Sequence, residues 1–246
     1  MRVGLLSDVH GNLPALEAVL EACSLRTDVL WCLGDVVGYG ASPNECTALV
    51  RERCELVLAG NHDLAATGRV DFRAFTSDAG RAIRWTREVL SAEAEAWLAG
   101  LDSSAERGPV GLYHGSPRDP IWEYVADAAA ALDALSRTAH ELVLVGHTHV
   151  PLAARLIDER LIGGQAGADA IYDLRGGRHT LLNPGSVGQP RDGDARAAWL
   201  QLYLDDDGRP ERAVFQRVRY DVHAAQRAIE DAGLPQHLAD RLEFGM

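Results

Sequence analysis

Apolar runs and helical stretches alternate along the first sixty residues. Residues 2–7 (RVGLLS) are a short apolar run that ends at Asp8. Leu13, Leu16, Leu20 and Cys23 then recur at helical spacing behind Asn12, a suitable N-cap. A second run, 28–33 (DVLWCL), ends at Gly34-Asp35, and Ser42-Pro43 opens a second helix with proline in its first turn. A third run, 54–59 (CELVLA), ends at Gly60-Asn61-His62-Asp63. This βαβαβ rhythm predicts a sheet covered by helices on both faces.

Residues 64–100 break the rhythm. They predict two or three helices, with Trp85, Val89 and Leu90 on one face and Trp97, Leu98 and Leu101 continuing it. Such a helical insertion serves either at the mouth of a site or as plain scaffold. Strand character returns at 110–113, followed by an alanine-rich helix near 126–138 and a strand at 141–145 that ends at Gly146-His147-Thr148-His149. The segments 152–157, 169–174, 179–183, 197–205 and 212–220 are strand-like with turn signals between them. They suggest a second, more antiparallel sheet, closed by a helix near 222–232. No repeat, low-complexity tract or linker interrupts the chain, so one domain over 1–246 is expected.

Composition narrows the class. Apolar residues make up 47% of the 246 and charged residues 24%, enough to fill a core, which excludes global disorder. No apolar run approaches the roughly 18 residues of a membrane span. The N-terminus meets Asp8 too soon for a secretory segment, so a cytoplasmic protein is expected. The formal charge of -12 repels phosphate backbones and argues against broad nucleic-acid binding. A positive centre for an anion would have to come from bound metal. Cys23, Cys32, Cys46 and Cys54 form no C-x-x-C pair and are expected to be reduced, mostly buried thiols.

The candidate chemistry is positional. Asp8 with His10, then Asp35, Asn61, His114, and His147 with His149 each sit just past an apolar run. In an open α/β sheet, ligands bind in the crevice outside the carboxyl ends of the strands. Five distant segments would therefore deliver seven metal-binding side chains to one place, and each i, i+2 pair can face one way along an extended backbone. Any one of these segments alone is a common turn; the ordered set is not.

These motifs together resemble the calcineurin-like metallophosphoesterase superfamily: D-x-H at Asp8 and His10, G-D at Gly34 and Asp35, G-N-H-D at 60–63, His114 in YHGSP, and G-H-T-H at 146–149. The segment NPGSVGQPRDGD (183–194) is similar to that of the small bacterial phosphodiesterase-type branch. The resemblance implies two facing mixed β-sheets in a sandwich flanked by helices. It also implies that Asp8, His10 and His149 hold one divalent ion, that Asn61, His114 and His147 hold another, and that Asp35 bridges them. Seven donors are indeed too many for one ion with an open position. The donor set of imidazole, carboxylate and amide suits Mn, Fe, Zn, Ni or Co, with Mn the family's default.

The activity so implied is in-line hydrolysis of a small or nucleotide-like phosphodiester by a hydroxide bridging the two ions. A phosphomonoesterase or protein phosphatase is the alternative. A non-catalytic scaffold is disfavoured because every ligand position is present along with His62 and Asp63. In the family pattern His62 lies off the metal, where it would stabilise the transition state and protonate the leaving oxygen; Asp63 would hydrogen-bond its other ring nitrogen. Arg118 and Arg191 each follow a glycine-proline turn, and each is either a phosphate-neutralising residue or a solvated surface arginine. Tyr39 could stack on a base or cover the second strand. Asn183 and Ser186 could line the rim or simply serve turn chemistry. The expected partner is a small phosphoester; no membrane partner is expected, and no oligomeric one is specified.

Overall fold

The computed structural model describes residues 1–176 and 179–246. The first half runs β1 (Arg2–Leu6), α1 (Leu13–Ser24), β2 (Val29–Cys32), α2 (Pro43–Arg53), β3 (Leu56–Val57), α3 (Asn61–Ala66), α4 (Ser77–Val89) and α5 (Ala92–Ala99). Then come β4 (Ser104–Arg107), β5 (Val110–Tyr113), α6 (Ala128–Ser136), β6 (Leu142–Leu144), β7 (Leu152–Ile157), β8 (Arg160–Gln165), β9 (Ile171–Asp173) and β10 (Thr180–Asn183). The chain closes with β11 (Ala197–Leu204), β12 (Pro210–Val218), α7 (Val222–Asp231) and α8 (Gln236–Phe244).

Among the described residues the strands form two six-stranded sheets, ordered β3-β2-β1-β11-β12-β9 and β4-β5-β6-β10-β7-β8. Both are mixed, as the family resemblance implied, and the late strands are divided between them, so that the second sheet is no more antiparallel than the first. The parallel trio β3-β2-β1 is extended antiparallel by β11, β12 and β9. The parallel trio β5-β6-β10 is flanked antiparallel by β4 on one side and β7-β8 on the other. Late strands join both sheets: β11, β12 and β9 continue the first from β1, and β10, β7 and β8 complete the second.

The period-2 alternation of the strands decides what lies between the sheets. Val3, Leu5, Trp31, Leu200, Leu202 and Phe215 of the first sheet meet Val110, Leu112, Leu142, Leu144 and Leu182 of the second in one buried cluster. The opposite parity, Leu30, Cys32 and Trp199, faces outward under Leu16, Val19, Leu20 and Cys23 of α1 and Val50 of α2. Being buried on both sides explains why these strands are apolar throughout. Helix α1 begins as its sequence requires, with Asn12 Oδ1 accepting the Ala15 amide at 3.2 Å.

Some expectations shift. The third run yields only the two residues of β3, although the Leu58 amide still donates to the Cys32 carbonyl at 2.9 Å. The short strands β4 and β8 and the terminal helix α8 lacked a readable pattern. In α4 the buried face is Ala79, Ala82, Ile83 and Thr86, whereas Val89 is exposed and Trp85 half-buried. Small side chains let α4 pack closely where the wide apolar residues could not. Among the described residues no helix is long and apolar enough to cross a membrane.

Trp31, 1% exposed, is a major side chain of the inter-sheet core, and its Nε1 makes no hydrogen bond. Trp31→Ala is expected to cost about 3–5 kcal/mol in denaturant unfolding. Trp31→Phe should cost clearly less, because no hydrogen bond is lost with the indole. Equal losses for the two variants would mean that ring volume is not what Trp31 contributes.

Candidate metal centre

The carboxyl ends of two parallel trios, one from each sheet, meet at one edge of the sandwich. The first sheet delivers Asp8 and His10 after β1, Asp35 after β2, and Asn61 where β3 passes into α3. The second delivers His114 after β5, and His147 and His149 after β6. The crevice thus lies between two sheet edges, where a single one had been expected. All seven side chains are buried.

Local backbone geometry makes this convergence possible. Asp8, His10, Asp35, His147 and His149 all have positive φ, between 52° and 66°. Such a conformation costs a non-glycine residue about 1 kcal/mol or more and persists only where the surroundings enforce it. The enforcing contacts are cross-strand amides: Asp8 N–H donates to the Gly34 carbonyl at 3.0 Å, and His10 N–H to the Asp35 carbonyl at 2.9 Å. Gly60 is glycine for a steric reason, since a Cβ there would fall on Asp35 Oδ1.

Each carboxylate commits one oxygen to a neighbouring ligand loop and leaves the other free. Asp8 Oδ2 accepts the His147 amide at 3.1 Å, and Asp35 Oδ1 accepts the His62 amide at 2.9 Å. Asp8 Oδ1 and Asp35 Oδ2 are buried with no hydrogen-bond partner. The imidazoles are oriented by backbone carbonyls. Nδ1 of His10 faces Val37 O at 3.1 Å, Nδ1 of His114 faces Leu33 O at 2.8 Å, and Nδ1 of His149 faces Gln189 O at 2.6 Å. A carbonyl can only accept, so each Nδ1 carries the proton and each Nε2 presents a lone pair.

Those lone pairs point at one another. His10 Nε2 and His149 Nε2 are 3.0 Å apart; His114 Nε2 is 3.2 Å from both Asn61 Oδ1 and His147 Nδ1. Asp35 Oδ2 stands 3.5 Å from His10 Nε2 and 3.5 Å from His114 Nε2. Such crowding of acceptors fits positive charge, a proton on His114 or a divalent metal. The donors form two groups with Asp35 common to both: Asp8, His10, Asp35 and His149, and Asp35, His114 and His147.

The titration behaviour agrees. Burial lowers His10 and His149 well below the usual imidazole range and takes His147 down to about 3, keeping these rings in the neutral, ligating form. Burial opposes charge on His114 too, but Asp35 and Asp8 outweigh it and raise that ring to about 9, a measure of how strongly the site calls for positive charge. Burial and the nearness of Asp35 raise the Asp8 carboxyl, against the pull of His114. Asp35 is lowered: burial opposes this, and the histidines around it prevail. The four thiols are raised by burial, and none belongs to either donor group.

Asp63 takes up a different task from the expected one. Asp63 does not reach the His62 ring. Its Oδ1 accepts the Val37 amide at 3.0 Å and its Oδ2 the Gly60 amide at 2.9 Å, capping the first turn of α3. His62 Nδ1 is buried without a partner, against Gly38, where a Cβ would overlap it. Its ring packs among Tyr39, His10 and Phe75, with centroids 4.4, 4.8 and 4.9 Å away. Tyr39 therefore covers the site's own histidines, not the second strand.

Arg118 is also corrected. Its half-exposed guanidinium is held by Glu123, with Asp133 at 3.8 Å, and does not face the donors. Arg191 does lie at the site: its amide donates to the His149 carbonyl at 3.2 Å, and its guanidinium reaches Gln189 Oε1 at 2.8 Å and the Tyr39 hydroxyl at 3.4 Å. Asn183 and Ser186 are fully buried braces. Asn183 Nδ2 donates to the Gly146 carbonyl at 2.7 Å, and Ser186 Oγ to the Asp8 carbonyl at 2.8 Å. Sequence reasoning missed Phe75, Trp122 and Tyr124, which ring the centre; nothing in their spacing signals it.

A fold of two facing mixed sheets with a histidine and carboxylate centre at the strand ends defines the class. The chain belongs to the calcineurin-like phosphoesterase superfamily, whose domain matches residues 1–206. It is similar to a metallophosphoesterase from Sphaerobacter thermophilus, 40% identical in sequence, with a TM-score of 0.87 over 100% of this chain and 99% of that one. The uncharacterized protein MJ0912 of Methanocaldococcus jannaschii is 34% identical over 99% of this chain and 98% of its own length. The hypothetical protein PH1004 of Pyrococcus horikoshii OT3, 18% identical, shares the fold with a TM-score of 0.77 over 100% of this chain and 98% of that one.

The Asp63 geometry yields a prediction. Asp63→Ala leaves two buried amides without an acceptor and should lower the unfolding free energy by roughly 2–4 kcal/mol. Asp63→Asn, which keeps one acceptor oxygen, should lose less. An unchanged denaturation midpoint in Asp63→Ala would show that the cap is dispensable.

Proposed function

We propose that this chain is a binuclear-metal phosphodiesterase acting on small or nucleotide-like phosphoesters. The observation that carries the proposal is Asp35 Oδ2 standing equidistant, at 3.5 Å, from the imidazoles of two donor groups. A shared carboxylate of this kind suits two ions better than one. Asp8, His10 and His149 would hold the first, and Asn61, His114 and His147 the second. When bound, two divalent ions make water a nucleophile at neutral pH and clamp the non-bridging phosphoryl oxygens. Manganese is the first metal to test, since the donor set tolerates several.

The chain's own groups do the rest. The Asp63 cap fixes the start of α3, so that Asn61 and His62 enter the centre from one turn. The His62 amide holds Asp35 by its Oδ1, leaving Oδ2 to be shared. The His62 ring, buried beside the donors, would hold a proton for the leaving oxygen. Burial lowers it to about 4, against the pull of Asp35. Arg191 is the guanidinium at the rim, Arg118 being engaged with Glu123. Four cysteines that form no disulfide accord with a cytoplasmic setting.

Chelation of the manganese-loaded protein should abolish hydrolysis of bis(4-nitrophenyl) phosphate, and added metal should restore it. Full activity in a metal-free sample, or exclusive cleavage of monoesters across a metal panel, would overturn the proposal. For His62, the alanine variant should keep its metal by elemental analysis and lose roughly 10²–10⁴-fold in turnover on esters with an alkoxide leaving group. It should lose much less on nitrophenyl esters, whose leaving group departs without a proton. An equal loss on both would leave His62 a charge-stabilising role only.

A further inference from the structure

Between β5 and α6, past His114, the chain builds a tightly fastened loop. Ser116 Oγ accepts the amides of Arg118 and Asp119, both at 3.1 Å, and bonds the Glu123 carboxylate. Asp119 Oδ1 accepts the amides of Ile121 at 3.1 Å and Trp122 at 3.0 Å. Arg118 closes the loop onto Glu123. Four side chains are thus spent on fixing a segment that ends in Trp122 and Tyr124.

What the loop fixes is a set of rings beside the metal centre. Tyr124 lies on His147, centroids 3.9 Å apart and 21° from parallel. Trp122 meets Phe75 at 5.1 Å, and Phe75 meets His62 at 4.9 Å. Phe75 comes from the helical insertion, which in this way reaches the site. Tyr124 is 52% exposed: one face covers His147, and no second ring covers the other among the described residues. The centre also carries Arg191 over Tyr39, 5.7 Å from the ring centroid. It therefore offers both charge and an open aromatic surface.

A substituent on a phosphorus bound at this centre would lie near His147, and so near the Tyr124 ring stacked on it. A flat π system gains most there, because it extends the existing stack by a further layer. A sugar or alkyl group gains contact without stacking. A long polyanion is opposed by the formal charge of -12. We infer that Tyr124, seated on His147, is a stacking platform for a nucleobase, which makes nucleoside-bearing phosphodiesters of one or two nucleotides the substrate class. This inference rests on the phosphoesterase reading of the same centre.

The test compares ligands that differ in the base. Calorimetry on the manganese-loaded protein should find AMP bound roughly tenfold more tightly than ribose 5-phosphate, the scale of one base–aromatic stack. Tyr124→Ala should erase that ratio and Tyr124→Phe should keep it. The kcat/KM preference for the 4-nitrophenyl ester of thymidine 5′-phosphate over ethyl 4-nitrophenyl phosphate should fall in parallel. The ratio is the readout: if Tyr124 only steadied His147, the alanine variant would weaken both ligands alike, and the platform would be refuted. Equal affinity for AMP and ribose 5-phosphate in the unaltered protein would refute it as well. A protein that keeps the binding ratio yet cleaves no diester would retain the platform and lose the phosphodiesterase reading.

Discussion

Three backbone carbonyls, of Leu33, Val37 and Gln189, hold the Nδ1 protons of His114, His10 and His149. Because they do, three Nε2 lone pairs and two carboxylate oxygens have nowhere to point but at each other. Without a cation this is a repulsive arrangement, and five left-handed backbone positions add their own strain. The rest of the fold can be understood as what keeps these acceptors from separating. A cation that binds only the folded chain would return much of that cost as stability, which ties metal loading to folding.

The load is shared between the sheets. Asp8, His10, Asp35 and Asn61 depend on the first and His114, His147 and His149 on the second, so the donor groups stay in register only if the sheets do. Their alignment is set by the inter-sheet core and by amides that cross it near the site. His147 N–H on Asp8 is one such contact; Gly188 N–H on the Asp8 carbonyl, at 2.9 Å, is another. The segment after β10 thus works by bracing. Its buried Asn183 and Ser186 hold the ligand loops, and its Arg191 is the part that comes out to the rim.

Legibility in the sequence follows the range of the interactions. The ligands were readable because each ends an apolar run, and a run with its terminating residue is a local signal. The sandwich came from family resemblance, since no local pattern tells whether β11 pairs with β1 or with a strand of its own half. β8 (RLIGGQ) escaped because it is mostly exposed and carries two glycines. Asp63 was misassigned although the signal was there: an acidic residue at the third position of a helix reaches back to the N-cap amide. The GSPRD arginine was ambiguous in principle, because its partner Glu123 lies in a loop whose path only the fold determines. Tyr124 had no signal at all.

The chain's acidity acquires a different meaning once the centre is in place. A formal charge of -12 holds anions off the general surface, while bound metal and Arg191 concentrate attraction at one crevice. Attraction of that kind selects for phosphate but cannot tell one ester from another. Discrimination has to come from uncharged surface close to the phosphorus. The rings on the His147 and His62 side are the uncharged surface that the fastened loop and the helical insertion jointly hold there. The firmly fastened loop that follows His114 is what sets Trp122 and Tyr124 in that surface.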